Sequence, residues 1–239
     1  MATPPNFKIA FIGDQGLGTD AQAVLQLIKN EGAQAVMHSG DLDYADDPQA
    51  WDDQISSILG TDFPYFASVG NHEDSIFYRI DGYQDVMEAR MNRLSIPWDG
   101  DLGVKSSFHF NGIFFVLTAS GIFGTDVYDL FIREQLAKNR SLWSVSSWHL
   151  NMHLMQVSGV EDETGWGVYE ESRKGGAIIA TAHAHTYSRT HLLSDIENQT
   201  IASTSDTLRL MKDDTISTAD EGRTFVFVSA LGGRSFHGQ

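Results

Sequence analysis

Five short apolar stretches, each stopped abruptly by a polar residue, constrain this chain more than any other feature. Residues 7–12 run into Gly13-Asp14, 35–39 into Gly40-Asp41, and 65–69 into Gly70-Asn71-His72; residues 142–148 run into His149, and 177–182 into His183-Ala184-His185. Runs of this length read as strands. Helical patterns separate the first three, so the chain reads as βαβ units with parallel strands. Parallel strands point their C-terminal ends at one edge, and in open α/β sheets the crevice beyond that edge is where ligands bind. Carboxylate, amide and imidazole groups are therefore delivered to one place.

The intervening segments carry helix signals. Thr19-Asp20-Ala21-Gln22 has a capping-box pattern, with Val24, Leu27 and Ile28 on one face and Gly32 after the end. Asp47 is a plausible N-cap before Pro48, with Trp51, Ile55, Ile58 and Leu59 as a stripe and Gly60 as the stop. The middle of the chain predicts a helix over 84–94, then two strands, 106–110 and 113–118, joined by Asn111-Gly112 as a tight hairpin. Further helices are expected near 128–138 and 164–173. The last part is β-rich, with strands at 200–204, 208–211 and 224–230. The sum is an α/β layered domain with mixed sheets. No linker or repeat divides residues 1–239, which are expected to form one domain.

Composition narrows the chemistry. The chain has no cysteine, which excludes thiolate metal sites, iron–sulfur clusters and a cysteine nucleophile. The formal net charge of −16 opposes nucleic acid and anionic membrane surfaces. It would also repel phosphate esters unless bound cations reverse the field locally. No apolar run of membrane-spanning length occurs. The first residues lack a basic and then apolar leader pattern, which with the absence of cysteine slightly favours a cytoplasmic setting and leaves secretion open.

The donors at the strand ends suit iron, zinc or manganese, whereas calcium prefers oxygen alone. His183 and His185 lie two apart and can face one cluster. Asp41, in the central loop, is the natural carboxylate to bridge two cations. Two metals a few ångströms apart can clamp a phosphate and turn a bound water into hydroxide near neutral pH. His149 follows its strand directly. His153 would need a longer strand or a bend, and is read as a rim or substrate-facing histidine.

As an ordered set, Gly13-Asp14-Gln15-Gly16, Gly40-Asp41-Leu42-Asp43-Tyr44, Gly70-Asn71-His72-Glu73, the histidine after 142–148, and Ala182-His183-Ala184-His185 resemble the motifs of the calcineurin-like metallophosphoesterases, and within them the purple acid phosphatases. The resemblance covers about residues 8–189 and, more loosely, 225–233. It implies a four-layer α/β/β/α sandwich with two mixed β-sheets. It implies one metal held by Asp14, Asp41, Tyr44 and His185, and another held by Asp41, Asn71, His149 and His183. His72 would sit beside the metals, binding phosphate or protonating the leaving group. Gly16 stands where most relatives have a histidine, and Tyr44 takes over that role. A tyrosinate ligand favours Fe(3+), paired with Fe(2+), Zn(2+) or Mn(2+). Ala182 departs from the usual glycine, and Glu73 from the usual aspartate, where it could reorient His72.

The expected function is hydrolysis of small phosphate esters, most simply phosphomonoesters, by a metal-bound hydroxide at a dinuclear centre. A phosphodiesterase of the same fold, or a metal-binding scaffold without turnover, are the alternatives. The loops 121–128 and 156–165, with Phe123 and Trp166 as walls, are the expected determinants of substrate choice.

Overall fold

The computed structural model describes residues 3–124, 127–213 and 220–236. The chain opens with β1 (Ile9–Ile12), α1 (Thr19–Asn30), β2 (Ala35–His38), α2 (Pro48–Leu59) and β3 (Tyr65–Ala67). These three strands pair in parallel in the order β1-β2-β3. After α3 (Tyr83–Arg93) come β4 (Trp98–Asp101), β5 (Lys105–Phe110), β6 (Ile113–Thr118), α4 (Tyr128–Lys138), β7 (Trp143–Ser147), α5 (Gly167–Lys174) and β8 (Ile178–Thr181). The chain then forms β9 (Tyr187–Arg189), β10 (Leu192–Asp195), β11 (Thr200–Ser203) and β12 (Val226–Ser229). A second sheet has the order β4-β5-β6-β7-β8-β12-β9, and β10 and β11 make a separate hairpin.

The second sheet is mixed. β4, β5 and β6 are antiparallel, while β6, β7, β8 and β12 run parallel. Asn111 (φ 45°) and Gly112 (φ 79°) make the expected hairpin turn between β5 and β6, both in the left-handed region that a two-residue loop needs. β6 (Ile-Phe-Phe-Val-Leu-Thr) is buried along its length, as befits a strand covered on both faces.

The two sheets pack face to face through aromatic rings. Phe66 of β3 lies 4.7 Å from Phe108 and 5.7 Å from Phe115, centroid to centroid, and Phe11 meets Phe227 edge-on at 5.1 Å. Each such ring contributes on the order of 1.5–3 kcal/mol by leaving water. On the outer face of the small sheet, α1 and α2 bury Leu25, Ile28, Trp51 and Ile55, and Trp51 packs edge-on against Tyr65. On the outer face of the large sheet, α4 and α5 bury Ile132, Leu136, Val168 and Tyr169. The result is the α/β/β/α sandwich.

Local details differ from expectation where tertiary contacts decide them. Asp47 caps α2 as expected, its carboxylate accepting from the Ala50 amide at 3.0 Å. The first helix instead begins at Thr19 with Gly18 as its N-cap and no side-chain cap bond. It buries Ala21, Leu25 and Ile28, leaving Leu27 exposed. The strand expected at 208–211 reduces to a single bridge between Met211 and Arg223. The strands β4 and β9 carry too few apolar residues to be anticipated and form by pairing with neighbours, while β10 opens the β-rich last part with Leu192 and Leu193 buried.

Candidate metal centre

The C-terminal ends of β1, β2 and β3 meet those of β7, β8 and β12 at one edge of the sandwich. Backbone pairing continues past the strands into the loops: the amides of Asp14, Gln15 and Gly16 donate to the carbonyls of Gly40, Asp41 and Leu42 at 3.0–3.2 Å. The loops interpenetrate closely. A Cβ on Gly40 would stand 2.8 Å from both Gly70 and the His149 side chain, and one on Gly70 would stand 2.1 Å from the Asp41 amide. Only hydrogen fits at these two positions, and that brings Asp41, Asn71 and His149 together.

Two donor sets result. In the first, Asp14 Oδ1, the Tyr44 hydroxyl and His185 Nε2 are mutually 2.9, 3.0 and 3.1 Å apart. In the second, His149 Nε2 lies 3.2 Å from Asp41 Oδ1 and 3.2 Å from His183 Nδ1, and one donor atom from each of the three fits within 4.8 Å. Asp41 also adjoins Tyr44, so it stands between the sets. Asn71 Oδ1 is buried without any hydrogen-bond partner, an unfavourable state for an amide oxygen unless something else binds it.

These spacings fit metal ions. Donors held about 2.0–2.1 Å from one cation lie roughly 3.0–3.4 Å from each other in octahedral or tetrahedral geometry. The imidazoles are also oriented as metal ligands usually are, with the second ring nitrogen engaged elsewhere. His149 Nδ1 donates to the Ser39 carbonyl at 2.8 Å and His185 Nδ1 to the Ser235 carbonyl, which frees both Nε2 atoms for the cluster. His183 turns Nδ1 inward and holds Nε2 3.4 Å from the Glu163 carboxylate.

Electrostatics point the same way. Burial alone disfavours charge on His149, but the Asp41 carboxylate beside it, with Asp14 nearby, pushes the imidazolium up to about 10. Burial would raise Asp41, yet His149 and His72 hold it below the usual carboxylate range. In the metal-free protein a proton on His149 does the neutralising that a cation would do. Burial and the His149 charge bring His183 down to about 4, which keeps it neutral and able to donate a lone pair.

The backbone is strained at the same residues. Asp14, Asp41 and Tyr44 each have φ 58°, His183 70° and His185 48°, the left-handed region that side chains other than glycine's rarely adopt. Such outliers concentrate at functional sites.

His72 is half-exposed, 3.9 Å from Asp41 Oδ2, with its ring 4.5 Å from the Tyr44 ring. The Glu73 carboxylate is fully buried and accepts from the amides of Leu42 (2.7 Å), Gly70 (2.8 Å) and Asp41 (3.1 Å), tying two donor loops together. Burial and Asp41 push this acid up to about 8, but both oxygens face N–H donors, which is the geometry of the carboxylate. His153 lies apart from the donor sets, exposed on a short 3-10 turn, with Nδ1 on the Val160 carbonyl at 2.8 Å. Ala182 seats its methyl against Gly13.

Glu163 and Arg234 were not anticipated as parts of the site, and Glu73 was anticipated beside His72 but not as the acceptor for the loop amides. A cavity of about 490 Å³ opens beside Glu163, lined also by Gly121, Gly124, Tyr128, Thr164 and Gly167. The loops expected to govern substrate choice do flank it, though Thr125 and Asp126 lie outside the described residues. The expected aromatic walls do not line it: Trp166 packs against Tyr169, and Phe123 against Phe77 and Tyr78.

A family model for calcineurin-like phosphoesterases matches residues 7–187, which include every candidate donor from Asp14 to His185. The chain belongs to the calcineurin-like phosphoesterase family. A solved structure similar to it is the purple acid phosphatase PPD1 isolated from yellow lupin (Lupinus luteus) seeds, at a TM-score of 0.63 and 18% identity. That match covers 96% of this chain and 45% of the lupin chain, so this chain spans less than half the length of its structural neighbour. At this identity the likeness establishes a shared fold. Comparison with curated proteins gives no match. No helix among the described residues is long and apolar enough to cross a membrane.

Proposed function

We propose that this protein is a metal-dependent phosphoesterase with a two-cation centre, acting on small phosphomonoesters. The observation that carries the reading is the pair of donor sets on either side of Asp41: three donor atoms about 3 Å from one another in the first, and in the second His149 Nε2 3.2 Å from both Asp41 and His183, with the Asn71 oxygen buried and unpaired. Asp14, Tyr44 and His185 would hold one cation, Asn71, His149 and His183 the other, and Asp41 both. When bound, the cations would supply charge neutralisation at the phosphate oxygens and acidify an attacking water. A tyrosine ligand supports Fe(3+) in the first position, with Fe(2+), Zn(2+) or Mn(2+) in the second.

The chain's own groups perform the remaining tasks. His72, half-exposed beside the first set, donates a proton to the departing alcohol oxygen or holds the phosphate. Glu73 and the Ser39 and Ser235 carbonyls fix the donors in place. His153 serves as a rim contact. The chain is read as a single domain because β12, near its end, lies inside the large sheet between β8 and β9.

The test is elemental analysis of the purified protein, with turnover of a phosphomonoester and a phosphodiester before and after chelation. Two metals per chain and chelator-sensitive monoester hydrolysis are expected, with both reduced in Asp41→Asn. Turnover that survives complete metal removal would refute the reading.

A further inference from the structure

Beyond β12 the chain folds back over the first donor set. The Gly232 amide donates to the Gly13 carbonyl at 2.7 Å, the Arg234 amide to the Asp14 carbonyl at 2.9 Å, and Ser235 supplies the carbonyl that receives His185 Nδ1. These residues lie outside the 7–187 region that the family model matches. The backbone of Arg234 is thereby pinned to a residue of the centre, and its guanidinium carbon sits 4.4 Å from the centroid of the Tyr44 ring. Tyr44 is the residue whose hydroxyl meets Asp14 and His185.

Stacking occupies only the face of a guanidinium. Its five N–H donors lie in its plane and remain free for a ligand. Among the described residues the arginine ion pairs belong to Arg90, Arg93 and Arg173; Arg234 has none. In a chain with 32 acidic residues against 16 basic ones, Arg234 is an exposed cation without an ion pair, stacked on a residue of the first donor set, where an anion bound at the centre can pair with it. The terminal phosphate of a substrate carries that charge.

We propose that Arg234 is the residue that selects a terminal phosphate, binding two of its free oxygens and so favouring monoesters over diesters. A monoester presents three non-bridging oxygens and up to two negative charges, whereas a diester presents two oxygens and one charge. The planar fork of arginine matches two such oxygens side by side, and the doubly charged group gains more from it. This inference rests on the phosphoesterase reading above.

The experiment uses the metal-loaded full chain. Wild type, Arg234→Met and Arg234→Lys are compared on p-nitrophenyl phosphate and bis(p-nitrophenyl) phosphate, which share a leaving group. Inorganic phosphate binding is measured by calorimetry, and metal content by mass spectrometry. Arg234→Met should lose about 10–100-fold in kcat/KM on the monoester, mainly through KM, with a matching rise in the phosphate Kd. The diester should change by less than about 3-fold and metal content not at all. Arg234→Lys, which keeps the charge but loses the fork, should fall between. An unchanged monoester-to-diester ratio with unchanged phosphate affinity would overturn the assignment. So would loss of metal in Arg234→Met, which would make the residue a prop for Tyr44. If wild type cleaves neither ester, the phosphoesterase reading fails on its own. Phosphate titration then still decides Arg234: weaker binding in Arg234→Met upholds it, and equal binding overturns it.

Discussion

Replacing Glu73 separates the scaffold of the centre from its chemistry. Three backbone amides, those of Leu42, Gly70 and Asp41, end on this one fully buried carboxylate. In Glu73→Ala each amide loses its acceptor, and a buried unsatisfied N–H costs about 1–3 kcal/mol, giving roughly 3–9 kcal/mol in total. Two effects favour the lower half of that range. Water can enter the vacated space and bridge some of the amides. Removal of the acid also relieves its repulsion with Asp41, which together with burial raises Glu73 to about 8. The expected loss is therefore about 3–5 kcal/mol. Glu73→Gln keeps one oxygen for the Gly70 and Asp41 amides and turns its NH2 against Leu42, for a loss of about 1–3 kcal/mol. Urea unfolding of chelated protein measures the frame without the metals. With a slope near 3 kcal/mol/M, the Glu73→Ala midpoint should fall by about 1–1.7 M. A shift under about 0.3 M would show that the amides are satisfied without the carboxylate, and that Glu73 does not tie the loops.

Four further outcomes follow from the geometry. His149→Ala should remove one metal, as read by elemental analysis, while His153→Ala leaves both; the reverse would transfer the role to His153. His72→Ala should lower turnover by ~10²–10⁴, more for poor than for good leaving groups, and an equal loss for both would leave only phosphate positioning. Burial, with Asp14 and Asp41 beside it, pushes the Tyr44 phenol well above its ordinary value, so only a strongly Lewis-acidic cation can ionise it: iron-loaded protein should be violet to pink, and Tyr44→Phe should lose that colour while remaining folded. Because His149 in the metal-free protein holds its proton up to about pH 10, binding at that position must expel it. Metal affinity should therefore rise about tenfold per pH unit below that point, and a flat profile by competitive titration would count against His149 as a ligand.

The strand ends were legible in the sequence because their signals are local: an apolar run and a donor, with a glycine that permits close approach in the first three. Asp47-Pro48 and Asn111-Gly112 were legible for the same reason, since capping and turn chemistry act within four residues. β4 was not, because Trp-Asp-Gly-Asp has no apolar pattern and is held only by pairing with β5. On α1, Ile28 and Val24 face the core as expected but Leu25 takes the place given to Leu27, because the two leucines are equally apolar and only packing against the sheet chooses between them. In the centre, the strand-end donors were readable one motif at a time. Glu163 and Arg234 were not, because each stands on a loop positioned by contacts distant in sequence, from Glu163 to the Asn151 carbonyl and from Arg234 to that of Asp14.

The left-handed backbone at Asp14, Asp41, Tyr44, His183 and His185 bears on anyone who would engineer this chain. Each of these positions is held at a cost on the order of 1 kcal/mol that glycine would relieve, and at Asp14 and Asp41 glycine would also remove a buried carboxylate. A screen that rewards survival of heating alone is therefore drawn toward the residues of the centre. Its winners would be robust, well-expressed proteins that no longer bind a cation, so thermostability selection on this scaffold has to be coupled at every round to metal retention or turnover.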